Sequence, residues 1–297
     1  MTVEGLAVPT ATHFDASGAI DSNANREFLV GLAGAGADHL FVLGSLGEFP
    51  SIEDDERAGL VRSASDALRG GTDLWIGVGA PTTSRAVRYT RAAQVASAAA
   101  VVAVPPYYLQ PTEAAIASYY RAIHAECRVP LLAYNIPAKV GYALRPEMVH
   151  RLARQGVIQG IKDTAGSPAS LLAFLTGAPP EFAVLPGDDS LVRWAIGQGS
   201  PGAVMGTANI APKLGVSLVR AARSGDRDRV EALQGLVDRL EHAVRIGPFP
   251  STVKFLAHRF RGTPHGYRSP YDALTPAEAE QVLAAFRMLE GELAPFR

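Results

Sequence analysis

Eight short apolar, β-branched runs recur along the chain with helical stretches between them, and this alternation limits the fold more than any other feature. The runs are Leu6–Val8, His39–Leu43, Leu74–Val78, Val101–Val104, Leu131–Tyr134, Val157–Ile161, Phe182–Leu185 and Ala203–Met205. Strands separated by helices imply crossover connections and a parallel sheet. Eight such units within roughly 220 residues point to closure into an α/β barrel of the (β/α)8 type rather than an open sheet. Helix starts carry their own signals. Ser51-Ile52-Glu53-Asp54 reads as a capping-box N-terminus with an acidic first turn, and Thr112-Glu113-Ala114 opens another helix the same way. Ala92–Ala100 reads as an alanine-rich helix leading into a strand.

After Ala208 the pattern changes. Lys213–Arg223 and Arg227–Val244 are Leu/Ala/Arg-rich with helical period, and Val253–Phe260 follows a Gly/Pro break. A last helix is capped by Thr275 with Pro276 at its first position. The expected organisation is therefore a catalytic barrel over residues 1–226 and a C-terminal helical extension over 227–297. At 297 residues the chain can form one large core of this kind.

The run beginning at Val157 ends in Gly160-Ile161-Lys162-Asp163-Thr164. A strand period of two places Ile158, Gly160 and Lys162 on one face, with no acid beside the amine. A lysine held in an apolar interior loses hydration of its charged form, so its pKa falls and it becomes a nucleophile able to form a Schiff base with a carbonyl. Alternatively, a lysine at a strand end snorkels to water.

In a parallel barrel the active site forms at the C-terminal ends of the strands, so the residues ending each run belong to one rim. Gly44-Ser45-Leu46-Gly47-Glu48 ends the second run; its N–H groups either hold a carboxylate near a helix N-terminus or simply turn the chain. The fourth ends in Pro105-Pro106-Tyr107-Tyr108 and the fifth in Tyr134-Asn135-Ile136-Pro137. These tyrosines are either rim residues with wet hydroxyls or, with Ser45, a proton-moving chain. Gly187-Asp188-Asp189 ends the seventh, where the carboxylates either bind hydroxyls or cap the next helix.

Other chemistries lack their residues. The seven histidines show no metal-binding spacing, and neither a Walker loop, a dinucleotide fingerprint nor a Gly-x-Ser-x-Gly elbow occurs, so no metal and no cofactor is expected. The 28 basic and 29 acidic side chains nearly cancel without a basic run, which argues against nucleic acid or an anionic membrane as partner. Cys127 is the single cysteine, no window reaches the roughly 18 apolar residues of a membrane span, and Met1-Thr2-Val3-Glu4-Gly5 does not read as a leader. A cytoplasmic protein is expected.

Gly44-Ser45-Leu46-Gly47-Glu48, Pro106-Tyr107-Tyr108, Tyr134-Asn135-Ile136-Pro137, Gly160-Ile161-Lys162-Asp163, Gly187-Asp188-Asp189, Thr207-Ala208-Asn209 and Val253-Lys254 occur in order over nearly the whole chain. In order and spacing they resemble the dihydrodipicolinate synthase and N-acetylneuraminate lyase family. The resemblance implies a TIM barrel with a C-terminal helical appendage, a homo-oligomer (tetramer or dimer), and a lysine that forms a Schiff base with pyruvate or another 2-keto acid. Lys162 and Tyr134 match the family's lysine and first tyrosine, and Ser45 matches its relay hydroxyl. Tyr108 matches a tyrosine that in relatives reaches a neighbouring subunit's site. The N–H groups of Ser45 and Leu46 would hold the substrate carboxylate, and Thr164 and Asp188 would read distal hydroxyls. Gly187, Val204 and Lys139 complete the expected substrate contacts.

Three departures bear on the reaction. Synthases of the family typically have two hydroxyls in the first motif, where this chain has Leu46; an arginine where it has Lys139; and Lys-Glu-Ala-Thr where it has Lys162-Asp163-Thr164. Lysine for arginine keeps the charge but loses the bidentate fork. The expected activity is thus a class I aldolase or lyase joining or cleaving a 2-keto acid and an aldehyde, such as a 2-keto-3-deoxy sugar acid. The alternatives are condensation of pyruvate with aspartate semialdehyde, and a keto-acid-binding barrel without turnover.

Overall fold

In the computed structural model, which describes residues 3–68 and 71–297, each apolar run yields a strand. They are β1 (Gly5–Pro9), β2 (His39–Val42), β3 (Asp73–Gly77), β4 (Ala100–Ala103), β5 (Leu131–Asn135), β6 (Gly160–Asp163), β7 (Ala183–Pro186) and β8 (Gly202–Val204). Met1 and Thr2, which entered the reading of the N-terminus, lie outside the described residues.

All pairings are parallel, in the order β7-β6-β5-β4-β3-β2-β1-β8, so the sheet curls until its first and last strands meet. At that seam the Ser200 hydroxyl lies 2.6 Å from the Val184 carbonyl of β7 and 2.8 Å from the Gly202 carbonyl of β8, bridging the two edges. Every strand residue but Asp73 is buried, as a sheet covered on both faces requires. The fold is the expected (β/α)8 barrel with C-terminal helices.

Three boundaries differ from the sequence reading, each for a local reason. Val157 does not begin β6 but closes the helix Pro146–Arg154. Gly156 sits at φ 71° and donates to Ala153, while the Val157 N–H donates to Leu152, a Schellman closure. The alanine-rich stretch likewise stops being helical at Val95, where Ser97 (φ 54°) and Ala98 make the same pair of bonds back to Gln94 and Ala93. The helix Asp54–Ala67 is capped by Glu53 rather than Ser51, because Phe49–Ser51 forms a separate 3-10 turn. Glu56 accepts from the Glu53 N–H at 3.0 Å.

The C-terminal helices Arg227–Ile246, Ser251–Arg261 and Pro276–Arg287 pack on one another. The first also lies against the helix Pro212–Ser224 and the turn after β7, where Gln234 donates to the Asp189 carbonyl and Arg245, near the helix C-terminus, reaches Asp188. Among the described residues, no helix is long and apolar enough to cross a membrane.

Candidate active site

Lys162 is the third residue of β6, paired in register with Tyr134 of β5. It is 5% exposed, so its amine does not snorkel to water. Its Nζ donates to the Tyr134 hydroxyl at 3.1 Å and lies 4.2 Å from that ring's centroid and 5.6 Å from the ring of Phe41. Strand alternation sends its neighbour Asp163 to the other face, where Asn135 Nδ2 donates to Asp163 Oδ1 at 2.7 Å and the Leu144 N–H fixes the Asn135 oxygen. Among the described residues, no carboxylate pairs with Lys162.

The Tyr134 hydroxyl also lies 3.5 Å from the Ser45 hydroxyl, so three polar groups form a chain from amine to loop. Burial alone would raise the phenol's pKa. The Lys162 charge and the hydrogen bonds from Ser45 and Lys162 outweigh it and bring the phenol below its ordinary value.

Ser45 and Leu46 lie in a loop bracketed by Leu43 (φ 59°) and Glu48 (φ 53°), both in the left-handed region that side chains of this size rarely adopt. The bend is held from below. Glu48 and Lys254, both buried, form an ion pair, and Lys254 also donates to the Gly266 carbonyl at 2.9 Å. Burial raises the Glu48 carboxyl and lowers the Lys254 amine, and each partner's charge opposes that. The Glu48 and Phe49 N–H groups turn back onto Ser45 and Gly44, whereas among the described residues the N–H groups of Ser45 and Leu46 meet no acceptor. Because the following helix starts only at Asp54, those two amides, rather than a helix N-terminus, are the available anion donors.

A cavity of about 330 Å³ joins these residues. Ser45, Leu46, Tyr134, Lys139, Lys162, Thr164, Gly187, Asp188 and Val204 all line it, so the fold brings together every expected site residue except Tyr108. Gly187 leaves the room that Thr164 and Lys162 occupy. A Cβ there would lie 2.2 Å from Thr164 Oγ1 and 2.6 Å from Lys162 Cε. Lys139 lies in the short helix Pro137–Val140 with its amine 5.6 Å from the Phe249 ring.

Tyr108 is placed differently. It sits at φ 77° with 93% exposure, beside the exposed Leu109, and does not reach the cavity of its own chain. Tyr107 instead turns inward, edge-on to Phe49, and lines an adjoining cavity of about 190 Å³ that shares Ser45, Lys139 and Phe249. Within one chain the polar series is therefore the Lys162 amine followed by the Tyr134 and Ser45 hydroxyls.

Asp188 and Asp189 divide their tasks. Asp188 Oδ1 accepts from the Ser190 N–H at 3.2 Å and hydroxyl at 2.6 Å, capping the next turn. Asp189 is buried and accepts from the N–H groups of Gly206 and Thr207 and from the Thr207 hydroxyl, fixing the loop after β8. The cavity also has a wall that sequence reasoning missed: Glu241, Val244 and Arg245 of the helix Arg227–Ile246. The i,i+4 spacing of that charged pair was visible, but it reads as an ordinary solvated helix pair.

Comparison with known proteins places this geometry. The model of the Dihydrodipicolinate synthetase family matches residues 2–289. A 4-hydroxy-tetrahydrodipicolinate synthase from Dechloromonas aromatica is 31% identical over 95% of this chain and 96% of its own length. A probable 2-dehydro-3-deoxy-D-pentonate aldolase from Escherichia coli is 35% identical over 84% of this chain and 85% of its own. Among solved structures, an Escherichia coli prophage protein of the dihydrodipicolinic acid synthase family, crystallised with pyruvate, superposes with a TM-score of 0.93. It is 29% identical and covers 98% of this chain and 99% of its own.

Proposed function

The chain belongs to the dihydrodipicolinate synthetase family, and from that premise we propose that it is a class I, Schiff-base lyase. Its substrate would be a 2-keto-3-deoxy sugar acid or related hydroxylated 2-oxo acid, cleaved to pyruvate and an aldehyde. One observation carries the reading: a buried lysine, unpaired by any carboxylate among the described residues, donates at 3.1 Å to a buried phenol and faces a cavity. The pyruvate held by a solved neighbour supports pyruvate as the keto-acid half.

In this reading the substrate carboxylate rests on the N–H groups of Ser45 and Leu46. After releasing a proton the Lys162 amine attacks the keto carbon and its next proton passes to the carbonyl oxygen; the carbinolamine hydroxyl leaves as water after taking a proton from Tyr134, giving the iminium ion and a phenolate. The Tyr134 phenolate then takes the C4 hydroxyl proton, the C3–C4 bond breaks, the iminium receives the electron pair as an enamine, and the aldehyde departs. Protonation at C3 and addition of water release pyruvate and restore Lys162. Tyr134 and Ser45 pass protons between these steps. Thr164, Gly187, Asp188, Val204 and Lys139 shape the remainder of the pocket.

Residues 1–226 would carry the chemistry and 227–297 would close the rim. Tyr108 would enter the relay only from a second copy of the chain, which fits a homo-oligomer. A cytoplasmic setting would keep Cys127 reduced.

The second reading is condensation of pyruvate with aspartate semialdehyde, favoured by the 31% identity to a synthase over nearly the full chain. Against it stand the buried Leu46 side chain, where synthases have a hydroxyl, and the single-point cation of Lys139. A panel of 2-keto-3-deoxy acids and aspartate semialdehyde, followed by pyruvate release or consumption, separates the two. Cleavage of the sugar acids supports the lyase, turnover of the semialdehyde alone supports the synthase, and imine formation without either overturns both.

A further inference from the structure

The wall that the C-terminal extension adds to the cavity is more than cover. Arg245 Nη2 donates to Glu241 Oε1 at 2.7 Å, one helical turn back, and to Asp188 Oδ2 at 3.0 Å, on the turn after β7. Asp188 is itself fixed through its other oxygen by Ser190. The guanidinium is thus tethered to the barrel by one nitrogen, while Nε and Nη1 meet no acceptor among the described residues and the side chain is 62% exposed. The trio lines the same cavity as the reacting amine. Gly187, the residue before Asp188, is the one packed against Lys162 Cε.

The balance of charge says what such a wall accepts. One guanidinium faces two carboxylates, and the buried Asp189 adjoins Asp188 in the same cavity lining. Burial first, and then the negative charges of Asp189 and Asp188, push the Glu241 carboxyl up to about 7, as expected where negative charge is already in excess. An incoming carboxylate or phosphate would meet that excess. A neutral hydroxyl can donate to a carboxylate oxygen and accept from a guanidinium N–H, so adjacent hydroxyls match the alternation of acceptor, donor and acceptor.

We propose that Glu241 and Arg245 are specificity-determining residues that bind the distal hydroxyls of the substrate and select a neutral polyhydroxyl end over an anionic one. This rests on the reading that a 2-keto acid is held as an imine at Lys162. Because the pair comes from the helical extension, the extension would set the choice of aldehyde while the barrel sets the keto acid.

The test uses the full chain and three substrates: a 2-keto-3-deoxy sugar acid with free distal hydroxyls, its terminally phosphorylated form, and a short 4-hydroxy-2-oxo acid with no distal hydroxyls. Pyruvate release is measured for the native chain, R245M, R245K and E241Q. In R245M the ratio of kcat/KM for the hydroxylated over the short substrate should fall about ten- to a hundredfold, as expected for lost hydrogen bonds to a charged group, with most of the loss in KM. R245K should recover part of that ratio, since it keeps the charge but not the fork. E241Q should lower the ratio in the same direction. A ratio unchanged in R245M, whether both substrates suffer equally or neither does, would overturn the proposal. So would a native preference for the phosphorylated form. Borohydride trapping of pyruvate on the native chain keeps the two levels apart. With trapping intact and the ratio unmoved, this proposal alone fails; without trapping, the imine reading fails and takes this one with it.

Discussion

Lys162 on β6 donates from its amine to the hydroxyl of Tyr134, its in-register partner on β5, over 3.1 Å. Parallel pairing fixes that meeting, and Ser45 at 3.5 Å from the same phenol extends it toward the loop after β2. The phenol is thereby placed to exchange a proton with whatever forms on the amine.

Replacing Tyr134 by Phe removes the proton carrier but keeps the ring that packs beside Lys162. The kcat for pyruvate release should fall roughly 10²- to 10⁴-fold, the usual range for loss of a general acid or base, with a much smaller change in KM. Steady-state kinetics with the best substrate of the panel checks this, and a kcat within threefold of the native value would remove Tyr134 from the proton path.

The buried pair Glu48 and Lys254 ties the Ser45–Leu46 loop to the helix Ser251–Arg261. Lys254→Met leaves a carboxyl buried without its partner, and urea unfolding should show a loss on the order of 3–5 kcal/mol. Adding Glu48→Gln should restore much of that, because the uncompensated charge is then gone. If the double variant is as unstable as the single, the pair's role is packing rather than charge.

Acid should weaken the fold through His13. The ring is fully buried, edge-on to Phe28 at 4.6 Å, and burial, followed by the charge of Lys254, lowers its pKa to about 3. The unfolded chain takes up a proton near the ordinary imidazole value of 6.5 while the native state does not, so stability rises with pH across that interval. The contribution is complete above about 6.5 and is lost as pH falls toward 3, by at most roughly 1.4 kcal/mol per unit. Urea midpoints from pH 4 to 7 should show a shallower acid slope in His13→Leu than in the native chain. Parallel slopes would show that His13 is not responsible.

The barrel was legible because burial on both faces forces strands to be apolar and β-branched, which is visible residue by residue. Lys162, Tyr134 and Ser45 were legible as a rim because each ends or follows a strand. The start of β6 was not, since Val157 looks like strand yet is used to close a helix through Gly156. Glu241 and Arg245 were hidden for a different reason. An acid–base pair four residues apart looks the same on any exposed helix, and only the packing of that helix against the turn after β7 turns it toward the cavity. Tyr108 illustrates the converse: its neighbour Tyr107 faces inward, and a left-handed backbone at 108 sends the expected side chain outward.

Everything proposed about turnover depends on Lys162 becoming covalently attached to the keto acid. The most direct measurement incubates the native chain and Lys162→Met with pyruvate and borohydride, then locates the added mass by peptide mapping. A single reduced pyruvate adduct at Lys162 in the native chain, absent from the variant, is the predicted result. An unmodified Lys162 at saturating pyruvate, or an adduct on another lysine, would contradict the account.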